Sequence, residues 1–290
     1  MVYDLRGNSL FYDNLDPSYT DAECRTAFIA EANKKAASIG MASSAFDSPS
    51  GATNTAQTTA KDMALLTLVA SSYKELAECW AKDSYTITPR GGLSITVTTT
   101  VHNATLEADY LVLGGKTGSY GSAKALACLC DVNGRQVAGY IADAGSDAKR
   151  FTAMKQLMDI CADILNGGTA SGTVTDAAVA AAFEVPTYYT LNYEQQALNM
   201  LYGQDETTLI VPASTTKLIT AVTMLDWVED VHDTFTFVSS DIVGGSGGVF
   251  AAGDVISFKD ALYAVMLPSS NSAATAVARV IGRKILSLGS

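Results

Sequence analysis

Apolar residues recur at helical spacing in six segments of the chain. The spacing predicts helices over 21–41, 58–82, 146–165, 214–230, 257–267 and 271–285. Gly40 marks the end of the first segment, and Ser146 is placed to cap the start of the third.

Other segments are rich in β-branched and aromatic residues and are predicted to be strands. KALACLCDV and RQVAGYIAD flank Asn133-Gly134, which predicts a hairpin with a type I′ turn. LSITVTTTV before this hairpin, and VPTYYTLNY and ALNMLYG after residue 184, are also strand-like. The fold class is therefore mixed α/β, with a mostly antiparallel sheet.

The composition is that of an acidic globular protein. Its 290 residues are 48% hydrophobic and 17% charged, which is enough for one large domain or two modest ones. The net charge of −11, without a basic cluster, disfavours nucleic acid and anionic membrane surfaces as partners. The sequence has no apolar run of membrane-spanning length, and MVYDLRGNSLFYDN lacks the regions of a secretory signal. We therefore expect no membrane span and no signal peptide.

Cysteine and histidine do not form the pattern of a metal site. The five cysteines include no Cys-x-x-Cys pair; Cys128 and Cys130 are two apart in a predicted strand, on one face. We interpret the cysteines as small buried apolar residues. His102 and His232 are the only histidines, too few for a histidine-based site, and we expect no metal and no organic cofactor.

Ser214 and Lys217 open an apolar helix directly after Pro212. Helical residues three apart share a face, so the amine can reach the hydroxyl. A serine becomes a good nucleophile when a base takes its proton, and lysine can be that base when burial or a helix N-terminus lowers its pKa. The same Ser-x-x-Lys spacing at 71–74 and 146–149 is interpreted as a solvated helix end and an N-cap.

Two further short motifs accompany this pair. Lys116-Thr117-Gly118, within GGKTGSYG, looks like a phosphate-binding loop, but that loop needs glycine where this chain has Tyr110 and a helix where a strand is predicted. We therefore reject a phosphate site. Ser269-Ser270-Asn271 lies in a short loop between the last two predicted helices.

Together, Ser-x-x-Lys, Ser-x-Asn and Lys-Thr-Gly are the motif set of class A β-lactamases and penicillin-binding proteins. The chain most closely resembles the low-molecular-weight D-alanyl-D-alanine carboxypeptidases. The resemblance is carried by VPASTTKLITAVTML, MLPSSNSAATAVARVIG, FIAEANKKAASIGMASSAFDSPSG, and TTVHNATL followed by GGKTGSY. It covers most of 24–165 and 186–282 and implies a β-lactamase/transpeptidase-like fold, with an antiparallel sheet flanked by helices and a helical subdomain.

The resemblance implies the catalytic roles. Ser214 would be the acylated nucleophile and Lys217 its general base. Ser269 would relay a proton to the leaving group, and Asn271 would position Lys217 and the substrate amide. The backbone N–H groups of Ser214 and Ser119 would form the oxyanion hole.

It also implies the substrate-binding groups. Lys116 and Thr117 would hold the terminal carboxylate, and Gly118 would allow the substrate backbone to lie against the strand. Arg150 matches an arginine that helps to bind the carboxylate in this family; a solvated helix arginine is the alternative. The substrate would be a peptidoglycan peptide ending in D-Ala-D-Ala, β-lactams would acylate the same serine, and the location would be a bacterial cell envelope.

The motif order differs from that of the family, because Lys-Thr-Gly comes first. Reading from 173 to 290 and then from 1 to 165 restores the order, so the chain resembles a circularly permuted member, natural or engineered. Segment 1–92 would be mainly helical subdomain, and 93–165 would carry the Lys-Thr-Gly strand, the hairpin and the family's C-terminal helix. A small, polar linker is predicted at 166–176. Segment 177–290 would then be the family's N-terminal part.

Two departures from the family pattern leave alternatives open. The first is Tyr120, which stands where the family often has a second threonine. The second is the absence of a Glu-x-x-Leu-Asn pattern after the Ser-x-Asn motif. The most similar stretch, Glu194 to Asn199, is one residue too long and lies elsewhere in the chain. The second departure disfavours an efficient class A β-lactamase. A weak β-lactamase or esterase, a non-catalytic penicillin-binding or engineered scaffold domain, and an unrelated α/β domain are the alternatives.

Overall fold

The computed structural model describes residues 12, 15–90, 93–167, 185–247 and 250–288. Its helices are α1 (Asp21–Ser38), α2 (Ala60–Ala70), α3 (Lys74–Trp80), α4 (Ala104–Glu107), α5 (Asp147–Leu165), α6 (Lys217–Trp227), α7 (Phe258–Met266) and α8 (Asn271–Leu288). Its strands are β1 (Ser84–Ile87), β2 (Ile95–Thr98), β3 (Leu111–Tyr120), β4 (Ala123–Val132), β5 (Arg135–Ala142), β6 (Thr187–Glu194), β7 (Ala197–Gln204), β8 (Thr234–Thr236) and β9 (Val255–Ser257).

Five strands form one antiparallel sheet in the order β3-β4-β5-β6-β7. β4 and β5 are joined at Asn133 and Gly134, whose φ angles of 56° and 78° are those of a type I′ turn. This confirms the predicted hairpin and places the Lys-Thr-Gly strand, β3, at one edge of the sheet. The mixed α/β fold with an antiparallel sheet is also confirmed.

Helices cover both faces of the sheet. On one face, α5 packs its apolar stripe, including Met154, Leu157 and Cys161, against β4 and β5. The Ser146 hydroxyl accepts a hydrogen bond from Lys149 N at 3.2 Å, so the predicted N-cap of α5 is confirmed. The opposite face packs against α2, and this larger core continues into α6, α7 and α8.

The helical part positions the Ser-x-Asn motif. α8 packs along α1 and also contacts α6 and α7, and its residues are buried from Asn271 to Gly282. Close contact with α1 is possible because Gly282 faces the Cys24 carbonyl, where a Cβ would overlap that group. The N-terminus of α8, at Asn271, is therefore held firmly beside α6.

Two expectations need correction, and a third falls largely outside the described residues. The helix predicted over 58–82 is two helices, because the Ser71 and Ser72 hydroxyls bind the carbonyls of Leu68 and Val69 and end α2. The helix predicted over 214–230 starts with a 3₁₀ turn, Ala213–Thr216, and ends at Trp227. Most of the predicted linker, from residue 168 onward, lies outside the described residues.

The other Ser-x-x-Lys pairs lie at helix ends, as expected. The Lys74 side chain is 83% exposed, and Ser146 caps α5. All five cysteines are buried and free, and Cys128 and Cys130 share one face with their sulfur atoms 3.5 Å apart. Within the described ranges, no helix combines the length and the apolar character that crossing a bilayer requires.

Candidate active site

The nucleophile candidate sits on a strained turn. Ala213, directly before Ser214, has a φ of +49°, a left-handed conformation that non-glycine residues seldom adopt. The Thr215 hydroxyl donates to the Pro212 carbonyl at 2.6 Å and closes the turn. Ser214 is half-buried at the start of this turn, while its neighbours on both sides are buried. The turn thus presents the Ser214 hydroxyl at the surface of the cleft.

Lys217 is fully buried, and its amine has three oxygen neighbours. Lys217 Nζ lies 2.8 Å from the Ser50 carbonyl oxygen, 2.8 Å from Asn271 Oδ1 and 3.0 Å from Ser214 Oγ. The first two atoms can only accept hydrogen bonds, so each takes one N–H. In a neutral amine the remaining position is the lone pair, which then faces the Ser214 hydroxyl. This arrangement suits removal of the Ser214 proton.

The electrostatic surroundings favour that neutral amine. Burial lowers the pKa of Lys217 well below its usual value, and the nearby charge of Lys116 lowers it further. Among the described residues, no carboxylate forms an ion pair with Lys217. Lys217 is therefore available as a base at a lower pH than an ordinary lysine.

The Asn271 side chain is held in one orientation. Asn271 Nδ2 donates to the Gly244 carbonyl at 3.0 Å, which leaves Oδ1 facing Lys217. Gly245 has a φ of +103°, and a Cβ there would overlap Asn271 Nδ2. The backbone N–H of Asn271 donates to the Ser246 carbonyl at 3.0 Å. The segment 244–247 therefore fixes which amide atom meets the base.

A second loop, 47–51, supplies the other acceptor of Lys217. The Ser50 carbonyl points at the amine, and the Thr220 hydroxyl donates to the Pro49 carbonyl at 2.6 Å. Gly51 has a φ of +71°, and a Cβ there would overlap the Ala213 carbonyl. The loop is therefore fitted against both the base and the nucleophile turn.

No role was predicted from the sequence for either loop. The glycine-rich stretch from 244 to 248 was a signal for the loop beside Asn271. Pro49 and Gly51, in the family-like stretch, were a signal for the loop 47–51. The acceptor on Ser50 is a backbone carbonyl, so its side chain carries no information about this contact.

Ser269 lies on the same side of the cleft, at the α7–α8 connection. It has a φ of +66° and is 6% exposed. Its hydroxyl is buried and has no hydrogen-bond partner within the described part of the chain. A buried hydroxyl without a partner is costly and is found at functional sites. The relay role expected for Ser269 stays a prediction.

Lys116 lies on β3 and is fully buried. Burial lowers its pKa to about 7, and the charge of Arg150 contributes to the decrease. Its Nζ donates to the Thr117 carbonyl at 3.0 Å, and none of the described carboxylates pairs with it. In its protonated form the amine therefore has no neutralising partner among the described residues, which suits an anion-binding role.

Arg150 reaches β3 from α5. It is 7% exposed, donates to the Gly118 carbonyl at 3.2 Å and to Ser119 Oγ at 3.4 Å, and pairs with Asp147 at 3.1 Å. The alternative of a solvated helix arginine is therefore wrong. The Thr117 hydroxyl lies 2.7 Å from the Thr100 hydroxyl.

The structure shows a reason for glycine at position 118 besides the expected approach of the substrate backbone, which stays a prediction. A Cβ at this position would lie 2.9 Å from the Pro212 carbonyl oxygen and 3.2 Å from Thr215 N. The missing side chain therefore allows close approach of the nucleophile turn, and this contact brings β3 and Ser214 together.

The described residues contain no group of three or more His, Cys, Asp or Glu that could hold a metal ion. The site is instead built from a serine, a buried lysine with two fixed acceptors, and a second buried lysine beside an arginine. This arrangement is suited to nucleophilic attack on the carbonyl of an anionic substrate.

Two family comparisons match separate parts of the chain. The D-alanyl-D-alanine carboxypeptidase family matches residues 22–138, and a β-lactamase enzyme family matches residues 173–287. The chain is therefore similar to serine β-lactamase-like D-Ala-D-Ala carboxypeptidases. The carboxypeptidase match contains Lys-Thr-Gly, and the β-lactamase match contains Ser-x-x-Lys and Ser-x-Asn. Comparison with curated proteins and with solved structures gives no match.

Proposed function

We propose that this protein is a serine D-Ala-D-Ala carboxypeptidase that acts on peptidoglycan stem peptides through an acyl-enzyme. The observation that carries the proposal is the coordination of Lys217. Its two fixed acceptors leave one position of the amine directed at Ser214 Oγ, 3.0 Å away. The similarity to the two families supports the same chemistry.

Acylation follows from this geometry. Neutral Lys217 takes the proton of Ser214 as Oγ attacks the carbonyl carbon of the last peptide bond. The backbone N–H groups of Ser214 and Ser119 stabilise the oxyanion. Collapse of the tetrahedral intermediate breaks the C–N bond, and Ser269 passes its proton to the departing nitrogen. Ser269 takes in its place the proton that Lys217 accepted, so Lys217 is neutral again. D-Alanine leaves, and an ester to Ser214 remains.

Substrate binding rests on the cations of the β3 region. Lys116, Thr117 and Arg150 hold the terminal carboxylate, which would replace the missing counter-charge of Lys116. The peptide lies along the free edge of β3 by strand addition. Water then attacks the ester, with Lys217 as the base, and regenerates Ser214.

The test is release of D-alanine from N-acyl-L-Lys-D-Ala-D-Ala. We expect release by the parent protein and by Ser71→Ala, and none above background by Ser214→Ala. Ser71 is a matched control because it has the same Ser-x-x-Lys spacing but lies at the end of α2, and the side chain of its lysine, Lys74, is 83% exposed. Equal release by the parent and by Ser214→Ala would contradict the proposal.

The motif order leads us to propose a circular permutation as well. The carboxypeptidase match precedes the β-lactamase match in the chain, so Lys-Thr-Gly comes before Ser-x-x-Lys and Ser-x-Asn instead of after them. A rearranged chain that runs from 173 to 290 and then from 1 to 165 should fold and be acylated at the rate of the parent. A rearranged chain that is folded but not acylated would contradict this interpretation.

A second candidate function is a weak β-lactamase or esterase, favoured by the β-lactamase family match over residues 173–287. Against it, Glu194 ends β6, which is three strands away from β3. Hydrolysis of a chromogenic cephalosporin with multiple turnovers, without release of D-alanine from the peptide, would favour this function.

A non-catalytic penicillin-binding domain would be indicated by a permanent adduct and no turnover of any substrate. For the carboxypeptidase, and for the weak β-lactamase or esterase, we propose a location in the bacterial cell envelope.

A further inference from the structure

Tyr120 is the last residue of the Lys-Thr-Gly strand and is not used in the chemistry above. Its side chain is 44% exposed, and its hydroxyl forms no hydrogen bond with another described residue. It pairs with Ala123 across the β3–β4 turn. A partly exposed aromatic ring at a strand end can bind a flat or apolar group.

The face on which Tyr120 lies follows from the alternation of side chains along β3. Thr117 and Ser119 point to one face, where they meet Thr100 and Arg150. Gly118 and Tyr120 therefore point to the other face. The Cβ position of Gly118 faces the nucleophile turn, so Tyr120 lies on the nucleophile side of the strand.

The order of groups along β3 sets the direction of a bound substrate. The carboxylate-binding groups Lys116 and Thr117 come first, and the nucleophile turn lies against Gly118. A substrate whose carboxylate is held at 116–117 and whose scissile carbonyl meets Ser214 must continue toward Tyr120. Two residues of strand span about 7 Å, the length of roughly one or two residues of the acyl part.

We propose that Tyr120 is a specificity-determining residue that binds the acyl side of the substrate and favours acyl groups with an apolar or aromatic body. The inference rests on the proposed function, because that function supplies the orientation of the ligand. It deepens that function by naming a chemical preference at the position next to the scissile residue.

The test compares two penicillins that differ only in the acyl group. Benzylpenicillin carries a phenylacetyl group, and 6-aminopenicillanic acid carries none. The measurement is the ratio of their second-order acylation rate constants, by intact mass against time. This ratio cancels any general loss of catalytic competence in a variant.

In Tyr120→Ser we expect the preference for benzylpenicillin to fall by about 3- to 10-fold, the usual range for loss of an aromatic contact. Tyr120→Phe should keep the preference, since the ring and not the hydroxyl makes the contact. Tyr193→Ser is the control, because Tyr193 is 58% exposed on β6, well away from β3 in the strand order. Its ratio should equal that of the parent.

The outcomes separate this inference from the proposed function. If the parent is acylated and the ratio in Tyr120→Ser is unchanged, Tyr120 does not select the acyl group and the inference fails alone. An equal fall in Tyr193→Ser would also overturn it. If neither penicillin acylates the parent, the proposed function fails and this inference fails with it.

Discussion

Replacing Lys116 by methionine should stabilise the protein while removing its anion site. Methionine keeps most of the volume and apolar length of the lysine side chain. It removes an amine whose pKa falls to about 7 in the fully buried site. The unfolded chain keeps a lysine pKa near 10.4. Between these two values the unfolded state binds more protons than the folded one, so the stability of the parent rises with pH.

The size of the effect follows from the two pKa values. The penalty for Lys116 approaches about 5 kcal/mol well below pH 7, is about 4 kcal/mol at pH 7 and falls to about 1 kcal/mol at pH 10. The stability gained by Lys116→Met should therefore decrease by about 1.4 kcal/mol per pH unit in this window. Lys217 is present in both proteins, but the charge of Lys116 lowers its pKa, so Lys116→Met also relieves part of the penalty on Lys217 and adds to the gain in the same direction.

The assay is urea unfolding of both proteins at pH 7, 8, 9 and 10, followed by circular dichroism. Lys74→Met is the matched control because the Lys74 side chain is 83% exposed, and its effect should not vary in this way with pH. A loss of stability in Lys116→Met at pH 7, or a gain that stays constant from pH 7 to 10, would refute the reasoning. The variant should also lose acylation by penicillin at both ends of the range.

Three further predictions concern the base and its supports. In Lys217→Met, acylation by benzylpenicillin should fall by about 10²- to 10⁴-fold, the usual contribution of a general base; a fall below fivefold would contradict that role. In the parent, the acylation rate should rise with pH through a midpoint below that of an ordinary lysine, because burial lowers the pKa of Lys217; a rate that is flat up to pH 10 would argue against a lysine base. Gly245→Ala should slow acylation more than Gly253→Ala, because a Cβ at Gly245 overlaps Asn271 Nδ2 while a Cβ at Gly253 meets nothing within 4 Å; equal rates would show that the Asn271 amide needs no fixed orientation.

The sheet was predictable because its signals are local. Asn133-Gly134 between two apolar runs specifies a hairpin and its turn type, and Ser146 specifies the start of α5. The break between α2 and α3 was not predicted, because the apolar pattern continues across it. It arises from two serine hydroxyls that compete for backbone carbonyls, an effect that hydrophobic periodicity does not register.

The candidate site was predictable to the level of side chains but not of backbone. Ser214, Lys217 and Asn271 come from short motifs, and the structure brings Lys217 within hydrogen-bond distance of the other two. The carbonyls of Ser50 and Gly244 were missed, because any residue supplies a carbonyl and only the tertiary fold decides where it points. The burial of Arg150 was also undecided in the sequence, since a single arginine on an amphipathic helix fits either environment.

The most direct test of the central claim is the intact mass of the protein after incubation with benzylpenicillin, alongside Ser214→Ala. The account predicts a single adduct with the full mass of the penicillin in the parent, mapped to the peptide that contains Ser214, and none in the variant. An adduct that persists in Ser214→Ala, or no acylation of a folded parent protein, would contradict the assignment of Ser214 as the nucleophile activated by Lys217.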